Sequence, residues 1–78
     1  MNNRTLKDLL YEQVARVGKA LASPKRLEML EMLAQGEKSV EAVAEAVSVD
    51  IKLASAHLKT LKEAHLVQSR REGKRMLY

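Results

Sequence analysis

The sequence predicts a mainly α domain with a small β-hairpin at its C-terminal end. Apolar residues recur at spacings of three and four through most of the first 64 positions, the period of helix faces. Ser or Asp stands just ahead of several of these stretches, where exposed helix amides need an acceptor. After His65 the pattern breaks into two short runs around a glycine, as in a hairpin. The composition agrees: the apolar residues are mostly Leu, Val, Ala and Met, with two Tyr and no Phe or Trp, which suits packed helices better than a sandwich of strands.

The elements follow in order. Leu6, Leu10, Val14, Val17 and Leu21 form one stripe of a first helix over about 5–21. Ser23-Pro24 starts the second, over about 24–35: Ser caps the amides, and Pro at the first helical position loses nothing by lacking an N–H. Leu27, Met29, Leu30, Leu33 and Ala34 give it a wide apolar side, and Gly36 ends it in a conformation that other residues adopt at a cost. Ser39 caps a short third helix, about 40–47, whose stripe is Val40, Val43, Ala44 and Val47. Ser48-Val49 is a turn, and Asp50 caps a fourth helix over about 51–64 with a carboxylate at its positive end. Two short helices joined by about three residues, the second more basic, match a helix-turn-helix. A basic hairpin over about 67–78, with Glu72-Gly73 as its two-residue loop, completes the outline of a winged helix-turn-helix.

A chain of 78 residues makes one small domain that buries about 60% of its unfolded surface, so its core is marginal without reinforcement. With no Cys there are no disulfides, and two His are too few for structural zinc. Association into a homodimer is the expected reinforcement. There is no apolar run of about 20 residues and no secretory leader pattern, so the reading is a soluble cytoplasmic protein with no membrane partner. The net charge is +4, and residues 50–78, with seven basic side chains against three acidic, hold the whole excess. That end of the chain attracts polyanions.

On the fourth helix Ile51, Ala54, Leu58, Leu61 and His65 fall within about 80° of one another, which makes them the expected buried stripe. Lys52, Ser55, Ala56 and Lys59 face the other way. Short side chains let a helix enter a major groove, and Ser and Lys reach base edges and phosphates. The two histidines, His57 and His65, stand eight residues apart, about 12 Å along the axis, and cannot share a metal ion within one helix. No nucleophile is set beside either one, so neither a metal site nor an enzymatic role is expected, and no cofactor is implied. His57 sits at the border of the stripe, placed for a structural hydrogen bond or a phosphate contact. His65 falls at the helix end.

Ser23-Pro24-Lys25-Arg26-Leu27, Ser39-Val40-Glu41-Ala42-Val43-Ala44, Ala54-Ser55-Ala56-His57-Leu58-Lys59-Thr60-Leu61 and Arg70-Arg71-Glu72-Gly73-Lys74-Arg75 with Tyr78 together resemble the ArsR/SmtB family of bacterial winged-helix repressors. The resemblance runs from about residue 14 to the end. It implies a homodimer that binds double-stranded DNA at an inverted-repeat operator and leaves it when an inducer binds. By position, Lys52, Ser55, Ala56 and Lys59 would face the major groove with His57 beside them, and Arg70, Arg71, Lys74 and Arg75 would lie along the wing near backbone or minor groove.

Three departures from the family pattern matter. The Cys ligands that many relatives carry on the third helix are absent. The C-terminal helix that others use for sensing and for pairing with the first helix would lie beyond Tyr78. His65 stands where relatives usually have Gly, so a different helix end is expected. Some cysteine-free relatives continue into a rhodanese-like domain, and the resemblance implies that sensing lies outside this segment, in one domain of a longer chain. A different reading of the same fold is a winged helix used for protein interaction or dimerisation without DNA contact. The lysines of the fourth helix and the basic wing weigh against it.

Overall fold

Three side chains ahead of apolar stretches set where the helices begin. In the computed structural model, which describes residues 3–78, the Ser23 hydroxyl accepts from the Arg26 amide at 3.3 Å, Ser39 from Ala42 at 3.1 Å and the Asp50 carboxylate from Leu53 at 2.7 Å. Each cap satisfies one of the amides that a helix N-terminus leaves open. The resulting elements are α1 (Asn3–Leu21), α2 (Pro24–Leu33), α3 (Val40–Ala46), α4 (Ile51–Glu63), β1 (Arg70–Glu72) and β2 (Arg75–Leu77).

Helix ends depart from the sequence reading in informative ways. α2 stops at Leu33, two residues early, because its last turn tightens: the Gln35 and Gly36 amides donate to the Met32 and Leu33 carbonyls. Gly36 follows at φ 146, a conformation reserved for glycine. α3 and α4 close in the same manner as each other. The Val49 amide donates to Ala44 and that of Ser48 to Glu45; the Leu66 amide donates to Leu61 and that of His65 to Lys62. These are paired Schellman bonds, and they place Ser48 (φ 59) and His65 (φ 62) in the left-handed region. The expectation of a different end at His65 is thus corrected. The end is the ordinary one, made by a residue that pays for the conformation glycine takes freely.

The core lies between α2, α3 and α4. Met29, Val43, Val47, Leu58 and Leu61 are its largest fully buried side chains, joined by Val40, Ala44, Ala54 and Ala64, with Leu66, Val67, Met76 and Tyr78 half-buried around them. The third-helix stripe is buried as read, and so are Ala54, Leu58 and Leu61 of the fourth. Ile51 and His65 are not: Ile51 is 53% exposed, and His65 has left the helix. On α1 the N-terminal part of the predicted stripe is uncovered among the described residues, while Val17 is half-buried. Leu10 is 56% and Val14 61% exposed, with Leu6, Leu9 and Tyr11 beside them, and the buried residue of α1 is Ala20 near its end.

The hairpin is antiparallel, with Arg70 opposite Leu77, Arg71 opposite Met76 and Glu72 opposite Arg75. Its loop is therefore Gly73-Lys74, one residue later than Glu72-Gly73. Gly73 at φ 62 takes the first central position, which two-residue turns of this hand assign to glycine. The wing is also fastened to the body of the domain. Lys38 and Tyr78 exchange both backbone hydrogen bonds, at 3.0 and 2.8 Å, and Ser39 bridges Leu77. The segment ahead of α3 thus serves as a short third strand, and buried Leu77 packs the hairpin against α3.

Candidate nucleic-acid interface

α3 and α4 are joined by Val47–Asp50 and pack closely on each other, the arrangement that presents the second helix of a helix-turn-helix outward. Because Ala54, Leu58 and Leu61 bury one side of α4, the opposite side is fixed. Lys52, Ser55, Ala56 and Lys59 are all exposed there, as the helical period requires. Neither lysine makes an ion pair or hydrogen bond among the described residues. Ile51 and Leu53, 53% and 45% exposed, flank this face at the N-terminal turn. The helical period alone does not reveal them, because it carries no information on what packs against each turn.

His57 belongs to a different setting. It is half-buried, and Arg26 NH1 lies 3.0 Å from its Nδ1. A guanidinium has no acceptor atoms, so in this contact Nδ1 can only accept. This contact engages Nδ1 alone. Among the described residues no group of three or more His, Cys, Asp or Glu side chains could hold one metal ion, and no helix is long and apolar enough to cross a membrane.

Strand alternation divides the wing cations. Arg70, Glu72, Arg75 and buried Leu77 share one face, while Arg71 and Met76 share the other. On the first face Arg70 grips the Glu37 carboxylate with two bonds, Nε to Oε2 at 2.7 Å and NH2 to Oε1 at 2.8 Å, and also donates to Glu72 at 3.1 Å. Arg75 donates to Glu72 at 3.2 Å. The Arg70 hydrogen bonds hold the Glu37 carboxyl below the usual glutamate range, and Glu37 in turn raises the Arg70 guanidinium further above neutrality. Arg71 and the turn residue Lys74 are exposed and make no ion pair among the described residues. Of the four predicted wing cations, two are engaged by carboxylates and two are available to a partner.

Residues 23–69, from the α2 cap into the wing, match the family model described as bacterial regulatory protein, arsR family. The chain belongs to the arsR family. Among similar proteins, the HTH-type transcriptional regulator Rv0324 of Mycobacterium tuberculosis is 54% identical over 72 residues, covering 92% of this chain and 32% of that protein. The arsenical resistance operon repressor of Staphylococcus xylosus is 31% identical over 68 residues, covering 87% of this chain and 65% of the repressor. The fold superposes with a TM-score of 0.91 on the homodimeric winged helix-turn-helix DNA-binding domain (fragment 1–100) Mb0332 of Mycobacterium bovis, at 51% identity, covering 100% of this chain and 70% of that one. The chain thus spans about a third of the length of one relative and about two thirds of the other. The family model and the superposition agree with the winged helix-turn-helix and the arsR-type resemblance read from the sequence.

Proposed function

We propose that this chain is the DNA-binding part of a dimeric cytoplasmic transcriptional repressor. Two copies of α4 would enter successive major grooves of an inverted-repeat operator, about 34 Å apart. The observation that carries this reading is the outward face of α4, where Lys52, Ser55, Ala56 and Lys59 are exposed and neither lysine is paired among the described residues, together with exposed Arg71 and Lys74 of the wing. Lysines that pair with no carboxylate can neutralise phosphates. Small side chains between them let the helix approach base edges. Arg70 and Arg75 contribute chiefly by holding the wing in place, because their charges already face Glu37 and Glu72.

The homodimer is supported by α1. Leu6, Leu9, Leu10, Tyr11 and Val14 form an exposed apolar surface larger than scattered single residues explain. A second copy related by a two-fold axis would cover it and set the spacing of the α4 pair. Sensing of an inducer is assigned to parts of the protein outside this segment, whether a rhodanese-like domain or another.

The test is a set of binding titrations on promoter fragments at several salt concentrations. Lys59→Ala with Arg71→Ala should weaken binding and lower the slope of log K against log salt by about 2, one for each phosphate no longer neutralised. An unchanged affinity and slope would remove α4 and the wing from the interface.

A further inference from the structure

α1 and α4 both lean on α2, but they meet each other only lightly. An open cleft runs between them, lined by Ala15, Arg16 and Lys19 on one side and by Thr60 and Glu63 on the other. The helix that offers the apolar face reaches the core it shares with α4 through Ala20, near its end. A polar side chain also links them. Arg26, in the first turn of α2, donates from Nε to the Ala20 carbonyl at 2.7 Å, from NH2 to the Lys19 carbonyl at 3.0 Å, and from NH1 to His57 at 3.0 Å. The two carbonyls belong to the last turn of α1, whose negative end favours a cation. His57 stands at the middle of α4, between Ala56 and Leu58.

We propose that Arg26 is a positioning residue that fixes the pitch of α4 relative to α1, and so the separation of the two α4 helices in the dimer. A planar guanidinium suits this, because its donors leave in fixed directions and can address two carbonyls and an imidazole at once. An ammonium cannot hold that geometry. The neighbouring Lys25 behaves differently: it donates to the Val47 carbonyl at the end of α3 and pairs with Glu28 at 3.5 Å, securing the turn rather than linking α1 to α4. The consequence for operator binding rests on the DNA-binding reading above. The link itself does not.

Two substitutions test it, Arg26→Lys and Arg26→Met, each first checked for helical content and thermal melting. Without DNA, the nitrogen-15 signal of His57 Nδ1 should carry the upfield shift of a hydrogen-bonded acceptor in the wild type, and lose that shift in both variants. An unchanged His57 signal in Arg26→Lys or Arg26→Met would overturn the link. With DNA, a palindrome selected by the wild type should bind both variants about tenfold more weakly at the same salt slope, the size expected for losing a charged hydrogen-bond network away from phosphate. The variants should also discriminate less between that palindrome and versions whose half-sites are moved apart by one base pair. Wild-type affinity in Arg26→Lys, or a slope lowered by about 1 in Arg26→Met, would make Arg26 a phosphate contact and overturn the positioning role. If the wild type binds no DNA, the DNA-binding reading fails alone, and the imidazole spectrum still decides whether Arg26 holds α4.

Discussion

Arg70 and Glu37 stand 33 residues apart in sequence and meet through two parallel hydrogen bonds of 2.7 and 2.8 Å, locking the first strand of the wing to the segment that leads into α3. That segment is also paired by its backbone to Tyr78, so the position of the wing against the helix-turn-helix is determined from both strands. A fork-to-fork pair fixes direction as well as distance, which a single lysine contact would not. The consequence for charge is plain: a wing rich in arginine presents less free positive charge than its sequence implies.

The pair makes a pH prediction. Glu37 is held below the ordinary carboxylate range by Arg70, so its folded value lies under its unfolded one. The interaction is then fully present above the unfolded value and is lost as pH falls through the folded one. Carbon-13 titration of the Glu37 carboxyl should give a midpoint below that of an unpaired glutamate, and Arg70→Gln should return it to the ordinary range. Both groups are exposed, so the thermal midpoint near neutral pH should move little.

The left-handed residue at the end of α4 predicts a gain in stability. His65 at φ 62 carries a side chain where glycine would have none, with its amide bonded to Lys62. His65→Gly should raise the unfolding free energy by about 0.5–1 kcal/mol, part of the local relief being offset by the greater freedom of glycine in the unfolded chain. Urea unfolding measures this. His65→Ala should give no such gain, since alanine meets the same backbone penalty.

The buried and exposed leucines should behave oppositely. Leu58 is 0% exposed at the centre of α4, and Leu58→Ala should cost about 2–5 kcal/mol through reduced burial and the cavity left behind. For so small a domain that is most of the available stability, and its helical signal should melt near room temperature. Leu10→Glu, on the exposed face of α1, should leave the helical signal largely in place and shift sedimentation from dimer to monomer. If the Leu10 variant sediments as the wild type does, α1 is not the dimer face.

How much of this is legible in the sequence differs by kind of interaction. The caps at Ser23, Ser39 and Asp50 and the stripe Val40–Val47 are readable because they depend on residues three or four apart. The outward placement of Lys52, Ser55, Ala56 and Lys59 follows from the same period. What periodicity cannot reveal are relations across the chain. The stripe of α1 is visible, yet nothing local says that its N-terminal part is left exposed among the described residues. The angle of Ile51 around α4 suits the core, although the residue is exposed. The hairpin loop lies one residue later than its sequence suggests, since Glu72-Gly73 and Gly73-Lys74 are both acceptable turn pairs until the pairing of Lys38 with Tyr78 and the burial of Leu77 set the register. Arg26 stands in a proline-initiated helix like many surface cations, and its partners on α1 and α4 emerge from the fold alone.

The division of wing cations gives the sharpest test of the interface. Arg71 and Arg75 are both exposed arginines in a short hairpin, and from sequence they are interchangeable. In the structure Arg75 donates to Glu72 on the face shared with Arg70, whereas Arg71 lies on the opposite face with no carboxylate partner among the described residues. A cation already neutralised displaces few counterions from DNA; a free one displaces about its full share. Arg71→Ala should therefore lower the salt slope by about 1 and weaken binding across unrelated sequences, while Arg75→Ala should change the slope by well under that amount. Glu72→Gln supplies the converse, because it releases Arg75 and part of Arg70 and should steepen the slope. Equal effects of the two arginine substitutions would mean that the ion pairs open on the DNA, and that the wing rearranges when it binds.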